Sequence, residues 1–239
     1  MLTITLQSAE NLSAEEVINL RELAQRTGFP LEKAYLKTAH FAHNPTVVMA
    51  HQDKRLVGFQ AYNMYRLKTP FFRHPVPFIY GGLAFQDATV AGRGVGYRIS
   101  RYYMQQTLGK WFFLKQYAFA IRTPTPRLIQ IMSVQHKLVH FKNNRITPEI
   151  YQFAQQFVKN VRRFQDPVDE RLIVHSKPIR ADITEQWDTL FEATDDYYNE
   201  LVYQAGLIHR DGSKRFITGN YLLLLGYSSL RQLVRSFTA

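Results

Sequence analysis

Residues 89–103 read "TVAGRGVGYRISRYY", with glycines at 92, 94 and 96 directly ahead of a segment with helical spacing. Glycine permits positive φ and lets the backbone come close to a ligand, and the first turn of a helix offers unpaired N–H groups and a partial positive charge. The combination predicts a phosphate-binding turn, although glycine-rich turns between strand and helix also serve packing alone. Spacing narrows the choice of ligand. A dinucleotide fingerprint needs G-x-G-x-x-G and an acidic residue about 20 positions on. Here the third glycine comes one position early, and no acidic residue lies between Asp87 and Glu149. A P-loop needs Gly-Lys-Ser/Thr after its glycines, and "GYRIS" does not supply it.

Outward from this turn, the spacing predicts a helix over 96–108 that ends at Gly109, and a strand before it over 77–86, "PFIYGGLAFQ". Upstream, "TVVMAHQDKRLVGFQAYNMY" reads as two strands around the turn Gln52-Asp53-Lys54, and "KTPFFRHPVP" as a loop. "LTITLQ" reads as a first strand, followed by a helix whose start carries the capping-box pair Ser13 and Glu16. Gly28 and Pro30 stop that helix, and a second, over about "LEKAYLKTAHFA", ends before Asn44-Pro45. Downstream, "WFFLKQYAFAIR" reads as a buried strand and "TPTPRLIQIMSVQHKLVHF" as a helix with prolines in its first turn. Residues 148–164 form another helix, with Ile150, Phe153, Phe157 and Val161 on one face. "ERLIVHS" reads as a strand, "TEQWDTLFEATDDYYNELVYQAG" as a helix, and "RFITGNYLLLLGY" as one more strand before an amphipathic tail. The order predicts a mixed α/β or α+β chain.

The element order, with "RLVGFQAY", "FIYGGLAF" and "AGRGVGYRISRYY", resembles the GNAT superfamily of acyltransferases. In that family a turn of pattern Gln/Arg-x-x-Gly-x-Gly/Ala grips the pyrophosphate of acyl-CoA. Ala91 stands at the Gln/Arg position, Gly94 and Gly96 at the small positions, and Gly92, Arg93 and Val95 are the spacers. Ala91 departs from the pattern, and Arg93 or Arg98 adds the charge it lacks. The resemblance covers about residues 46–141. It implies a GNAT-like fold, with a mixed central sheet of splayed strands between helices, and acyl-CoA as co-substrate. It further implies a core over 1–145 and an extension over 146–239 that completes the sheet or forms a second lobe. The implied CoA-binding residues are Phe85, Gln86 and Asp87, whose backbone would pair with pantetheine amides, and the turn Ala91, Gly92, Arg93, Gly94, Val95, Gly96, Tyr97 and Arg98.

In such enzymes an amine attacks the thioester directly, aided by a base and by an acid that protonates the thiolate. The tyrosine usual in the helix after the fifth strand is missing: residues 130–133 are Gln, Ile, Met and Ser, so Ser133 is the only hydroxyl there. Tyr80 is the one titratable group on the strand before the glycine turn, and Arg122, followed by Thr123, ends an apolar strand. Tyr80, Arg122 and Ser133 are therefore the catalytic candidates. His74 in the proline-rich loop, and Asp195 with Asp196, are weaker candidates for the acceptor side. His136 and His140 have the i, i+4 spacing of zinc ligands, and His40 and His43 share a helix, but no third ligand accompanies either pair. The reading therefore assigns no metal. "HRDG" at 209–212 has none of the companion kinase segments.

Composition bounds the rest. The chain has 239 residues, no cysteine and a formal charge of +11. Cysteine chemistry is excluded, and without a signal-like start or a long apolar run the reading is a soluble, cytoplasmic protein. Arg93, Arg98, Arg101, Lys110, Lys115, Arg122, Arg127, Lys137, Lys142 and Arg145 fall in the acid-free block, a positive surface for a phosphorylated cofactor, an acidic carrier protein, nucleic acid or a membrane, or simply for solubility. Its 17 Phe and 14 Tyr make a core or line a tunnel for a long acyl chain. The expected activity is transfer of an acetyl or fatty acyl group, from CoA or acyl carrier protein, to the amine of a small molecule or peptide. The alternatives are a basic nucleic-acid-binding protein, which no recognisable binding motif favours, and a GNAT-fold binding module without turnover.

Overall fold

The computed structural model describes residues 1–27, 29, 31, 36, 41–139, 146–161, 166–176, 181–183, 191–212 and 214–228. The fold class is mixed α/β, with sheets flanked by helices. The chain divides into two compact units that interleave along the sequence, one built on Met1–Met64 and Tyr80–Lys115, the other on Tyr65–Ile79 and the described part of Gln116–Gln232.

In the first unit β1 (Leu2–Ser8) lies antiparallel beside β2 (Thr46–Gln52), β2 beside β3 (Arg55–Leu67), and β3 beside β4 (Val76–Gln86), whose first residues belong to the second unit. The β2–β3 turn has Asp53 at φ 50° and Lys54 at φ 68°, the double left-handed geometry whose twist suits a tight hairpin. Helix α1 (Ala14–Arg26) starts as expected: the Ser13 side chain accepts from the Glu16 N–H at 3.1 Å, and the Glu16 carboxylate accepts from the Ser13 N–H at 2.7 Å. Helix α2 (Val95–Leu108) buries Val95, Ile99, Tyr103 and Leu108 and ends at Gly109, φ 90°. Tyr103 stacks on Tyr62 of β3 with ring centres 4.0 Å apart, and the Tyr62 hydroxyl lies 3.0 Å from Ser100 Oγ. At Gly58 of β3 a Cβ would stand 3.1 Å from Val95 and 3.2 Å from Ile99, so the bare backbone sets how closely α2 approaches the sheet. Leu20, Leu23, Met49, Phe59 and Tyr103 are almost fully buried, each contributing about 1.5–3 kcal/mol of apolar transfer.

In the second unit β5 (Tyr117–Thr123) pairs antiparallel with β11 (Asn220–Ser228), from Tyr117 opposite Ser228 to Thr123 opposite Leu222. Strand β11 also takes β6 (Lys137–Leu138) and β7 (Ile173–His175). A separate small sheet has the order β8 (Ala181–Asp182), β10 (Lys214–Ile217), β9 (Ile208–Asp211). Helices α3 (Pro126–Gln135), α4 (Pro148–Gln156) and α5 (Asp196–Gln204) accompany these strands. The first two open on proline, whose missing N–H costs nothing in a first turn, and α4 continues into a π turn over Phe157–Val161. Phe78, Phe153, Phe157 and Tyr65 form one aromatic cluster.

Four expectations are corrected. The strand expected over 111–122 begins only at Tyr117; Phe112–Leu114 form a 3₁₀ turn, because Trp111 and Leu114 are 60% and 46% exposed and find no sheet partner among the described residues. The helix expected to run past residue 135 stops at His136, φ −134°, and Lys137 and Leu138 pair with β11 instead. "RFITGNYLLLLGY" is two strands in two sheets, broken at Gly219, φ 98°. The helix expected over 184–206 is broken: Phe191 is helical, 192–195 are irregular and a helix begins again at Asp196, while 184–190 lie outside the described residues. The expected second helix and the amphipathic tail lie largely outside the described residues.

Candidate functional site

The end of β4 and the start of α2 are joined by a turn whose construction begins at Asp87. This carboxylate is 5% exposed and accepts four hydrogen bonds: the Thr89 N–H at 3.0 Å and its hydroxyl at 2.7 Å on Oδ1, Arg55 at 2.9 Å and Arg26 at 3.2 Å on Oδ2. Burial by itself pushes the acid's pKa up, but the Thr89 bonds and the two guanidinium charges outweigh it and hold Asp87 below the usual aspartate value. Asp87 thereby caps the short turn Ala88–Val90, and Gln86 braces it with a 3.1 Å bond from Nε2 to the Val90 carbonyl.

Beyond that brace the chain opens. Gly92 has φ 73° and Gly94 φ 68°, and a Cβ at either would meet nothing within 4 Å. Gly94 is the N-cap of α2 and has no side chain to cap it; the first intrahelical bond runs from the Arg98 N–H to the Gly94 carbonyl at 3.0 Å. The N–H groups of Gly92, Gly94, Val95, Gly96 and Tyr97 have no acceptor among the described residues. Left-handed residues placed next to ordinary ones turn successive N–H groups toward one concavity, an arrangement that binds anions, and the helix dipole adds to it. Arg93, Tyr97 and Arg98 are exposed around this opening, and neither arginine has an ion-pair partner among the described residues. Ala91 is half-buried with extended backbone, φ −55° and ψ 139°. The open, donor-rich turn suits an anion.

Phe85, Gln86 and Asp87, at and just past the end of β4, separate. The Asp87 N–H donates to Val57 O at 2.9 Å and its carbonyl accepts from the Val90 N–H at 3.1 Å, so neither group is free to pair with pantetheine. In an antiparallel ladder alternate residues face the same neighbour, so the backbone of Phe85 also turns toward β3. Its ring packs between Phe29 and Phe59, each 5.6 Å away. Only Gln86 directs its backbone groups away from β3.

Of the catalytic candidates, Tyr80 is buried on β4 at 4% exposure. Arg122, in the second unit, is already engaged: Nη1 lies 3.4 Å from Asp166 Oδ2 and 3.4 Å from Ser176 Oγ, and the guanidinium covers the Tyr221 ring at 4.6 Å. Ser176 closes the group with a 2.7 Å bond to the same Asp166 oxygen. Thr123 is buried there, its hydroxyl accepting from the Thr125 N–H at 3.0 Å. Ser133 is buried, donates to Gln130 O at 2.8 Å, and stands 2.5 Å from the Tyr198 hydroxyl of α5. With the serine proton committed to Gln130, the phenol is the donor. Tyr198 was missed in the sequence because a pairing across 65 positions leaves no local trace. Gln130 also holds the segment before α5 through a 2.9 Å bond from the Thr194 N–H.

The remaining candidates have local explanations. Asp195 caps α5, accepting from the Tyr197 N–H at 3.0 Å, and Asp196 is exposed in its first turn. His74 is exposed in the loop before β4. His136 packs on the edge of Phe119, ring centres 4.8 Å apart, and burial lowers its pKa to about 4. Its expected metal partner His140 lies outside the described residues, as does His40 of the other pair. "HRDG" forms β9 and its turn, with Arg210 over the Tyr203 ring at 5.0 Å.

No protein-family model matches the chain, and no curated protein matches it by sequence. Solved structures do match. Arabidopsis thaliana NAA60 in complex with acetyl-CoA is 10% identical, with 59% of this chain and 88% of that one covered and a TM-score of 0.40. The ribosomal-protein-S18-alanine N-acetyltransferase from Escherichia coli is 11% identical, over 57% of this chain and 79% of that one, with a TM-score of 0.39. A GNAT family acetyltransferase from Staphylococcus aureus is 11% identical, over 45% of this chain and 78% of that one, with a TM-score of 0.35. At these identities and TM-scores the matches carry no argument about this chain, and the site rests on its own geometry.

Proposed function

We propose that the chain is an N-acyltransferase that holds the pyrophosphate of acyl-CoA on the turn from Ala91 to Arg98. The observation that carries this reading is the uncapped start of α2, where two left-handed glycines leave five N–H groups without acceptors among the described residues, beside two arginines without an ion-pair partner among them. An anion at that point satisfies the donors and meets a positive field on every side. Gln86, whose backbone groups face away from β3, is the residue proposed to pair with pantetheine.

In the reaction an amine attacks the thioester carbon, the tetrahedral oxyanion collapses, and the carbon–sulfur bond breaks. The nitrogen loses one proton and the departing thiolate gains one. Tyr80, Arg122 and Ser133 are the candidates for the chemical step, and Ser133 brings Tyr198 with it. Residues 146–239 are proposed as the extension that fits the chain to its acceptor, an amine-bearing small molecule or peptide. The donor is acetyl-CoA, a longer acyl-CoA or an acyl carrier protein, and the protein is proposed to work in the cytoplasm.

Calorimetry with CoA, acetyl-CoA, longer acyl-CoAs and a duplex oligonucleotide tests the reading. CoA species bind, Arg93→Ala with Arg98→Ala weakens them at least about tenfold, near 1.4 kcal/mol, and the oligonucleotide competes poorly. Thiol release with candidate amines then separates an enzyme from a binding module. Ser133→Ala and Tyr198→Phe lower turnover with CoA affinity unchanged if the hydroxyl pair handles a proton. Absence of CoA binding at every chain length, with a carrier protein also inert, rejects the proposal.

A further inference from the structure

The segment "GKWFFLK", Gly109 to Lys115, ends α2 and does nothing for the turn at the other end of that helix. Trp111 is 60% exposed, Leu114 46% and Phe113 37%, three large apolar side chains within four residues. Phe112 is half-buried and roots the segment. The backbone is closed on itself: Phe112, Leu114 and Lys115 donate to the carbonyls of Gly109, Trp111 and Phe112, each at 3.0 Å. Lys115 turns back onto the Leu108 carbonyl at the helix end, where its charge complements the dipole. The rings of Trp111 and Phe113 meet edge to face at 5.6 Å, and the Lys110 ammonium lies 6.0 Å from the Trp111 ring centre.

We infer that this turn is a docking tip for an anionic lipid surface. Three properties of the segment fit a bilayer interface. Tryptophan with phenylalanine and leucine is the composition that settles at the headgroup boundary, with Lys110 on its flank, a side chain whose stem lies along the acyl boundary while its ammonium reaches the phosphates. The internal hydrogen bonds let the turn leave water with few backbone donors stranded. The charge around it has one sign: Arg101 and Lys110 are exposed on or next to α2, and the sequence holds no acidic residue from 88 to 148. An acidic protein partner shares the charge, but it needs a groove shaped to three apolar side chains, whereas a lipid interface accepts a bare tip. The inference is independent of the acyl-CoA reading, because the two features occupy opposite ends of α2.

The test is flotation with vesicles of phosphatidylcholine, alone or mixed in equal parts with phosphatidylglycerol. The chain has two tryptophans, so Trp187→Phe leaves Trp111 as the sole reporter. The protein floats with the mixed vesicles, releases at high salt, and shifts its Trp111 emission to shorter wavelength on binding. Joint Trp111→Ser, Phe113→Ser and Leu114→Ser lowers partitioning at least about tenfold, and Lys110→Glu lowers it further. CoA affinity and the circular-dichroism spectrum stay as in the parent, which separates loss of the tip from loss of the fold. Failure to bind mixed vesicles, binding with no emission shift, or binding that survives the triple substitution overturns the inference. So does capture of an acidic carrier protein through Trp111 when vesicles are ignored.

Discussion

Gly96 offers a substitution in which stability and binding should move in opposite directions. It lies inside the first turn of α2, has no positive φ, and a Cβ built there would stand 3.5 Å from Gln86 Oε1, an ordinary contact. The fold therefore has no need of glycine at 96. Gly96→Ala removes backbone freedom from the unfolded chain and adds helix propensity, a gain of up to about 1 kcal/mol. For a chain of this size that raises Tm by about 2–4 °C. The same methyl group stands beside the free N–H groups of the cradle and obstructs the close approach of a pyrophosphate. CoA affinity falls by about tenfold or more, at least ~1.4 kcal/mol. Gly92→Ala and Gly94→Ala are poorer tests, since each costs about 1–2 kcal/mol in left-handed backbone before any ligand is considered. Differential scanning calorimetry gives the first quantity and isothermal titration the second. A Gly96→Ala protein that melts higher and binds CoA as tightly as the parent refutes the cradle.

Asp87→Asn removes the charge that gathers Arg26, Arg55 and Thr89, and is expected to cost about 2–3 kcal/mol in urea denaturation. Because the folded pKa of Asp87 is depressed, its contribution is present above the unfolded value and lost as pH falls below it; the Asn variant loses that part of the parent's acid sensitivity. His136 behaves differently: burial lowers it from 6.5 to about 4, so the unfolded chain takes up a proton that the folded one refuses. Stability drops as pH falls from about 6.5 toward 4, by roughly 1–3 kcal/mol, and a His136→Phe protein melts with a flatter profile in that window. Gly226→Ala places a methyl 2.4 Å from the Phe119 ring and 3.0 Å from Leu138, both buried, and should destabilise by about 1–3 kcal/mol or more in the same denaturation assay.

Features written in a few adjacent residues were legible in the sequence. The Ser13–Glu16 capping box, the hairpin around Asp53 and Lys54, and the glycine-bounded helix from 95 to 108 each depend on neighbours within four positions, on turn chemistry, or on one apolar stripe. The run "WFFLKQYAFAIR" misled because an apolar stretch has no period that separates a buried strand from an exposed turn. Its first half is wet and its second half is covered by β11, a fact decided by residues 220–228. For the same reason the sequence showed Ser133 but not Tyr198, and Arg122 but not Asp166 and Ser176, which come from more than forty positions away and settle its charge. At the candidate site the glycines and arginines were visible, whereas the commitment of the Asp87 backbone to Val57 emerges only from strand register.

The pairing of β5 with β11 also sets a schedule for synthesis. Ala120 is matched to Leu225, so the apolar strand 117–123 leaves the ribosome about a hundred residues before that partner exists, a wait of about 5–20 s at ordinary translation rates. During that interval the β11-facing edge of a strand of Tyr, Ala, Phe and Ile stands ready to join any other exposed edge. Synonymous changes that slow translation after residue 123 should therefore raise the insoluble fraction in cells while leaving the melting temperature of the purified protein untouched.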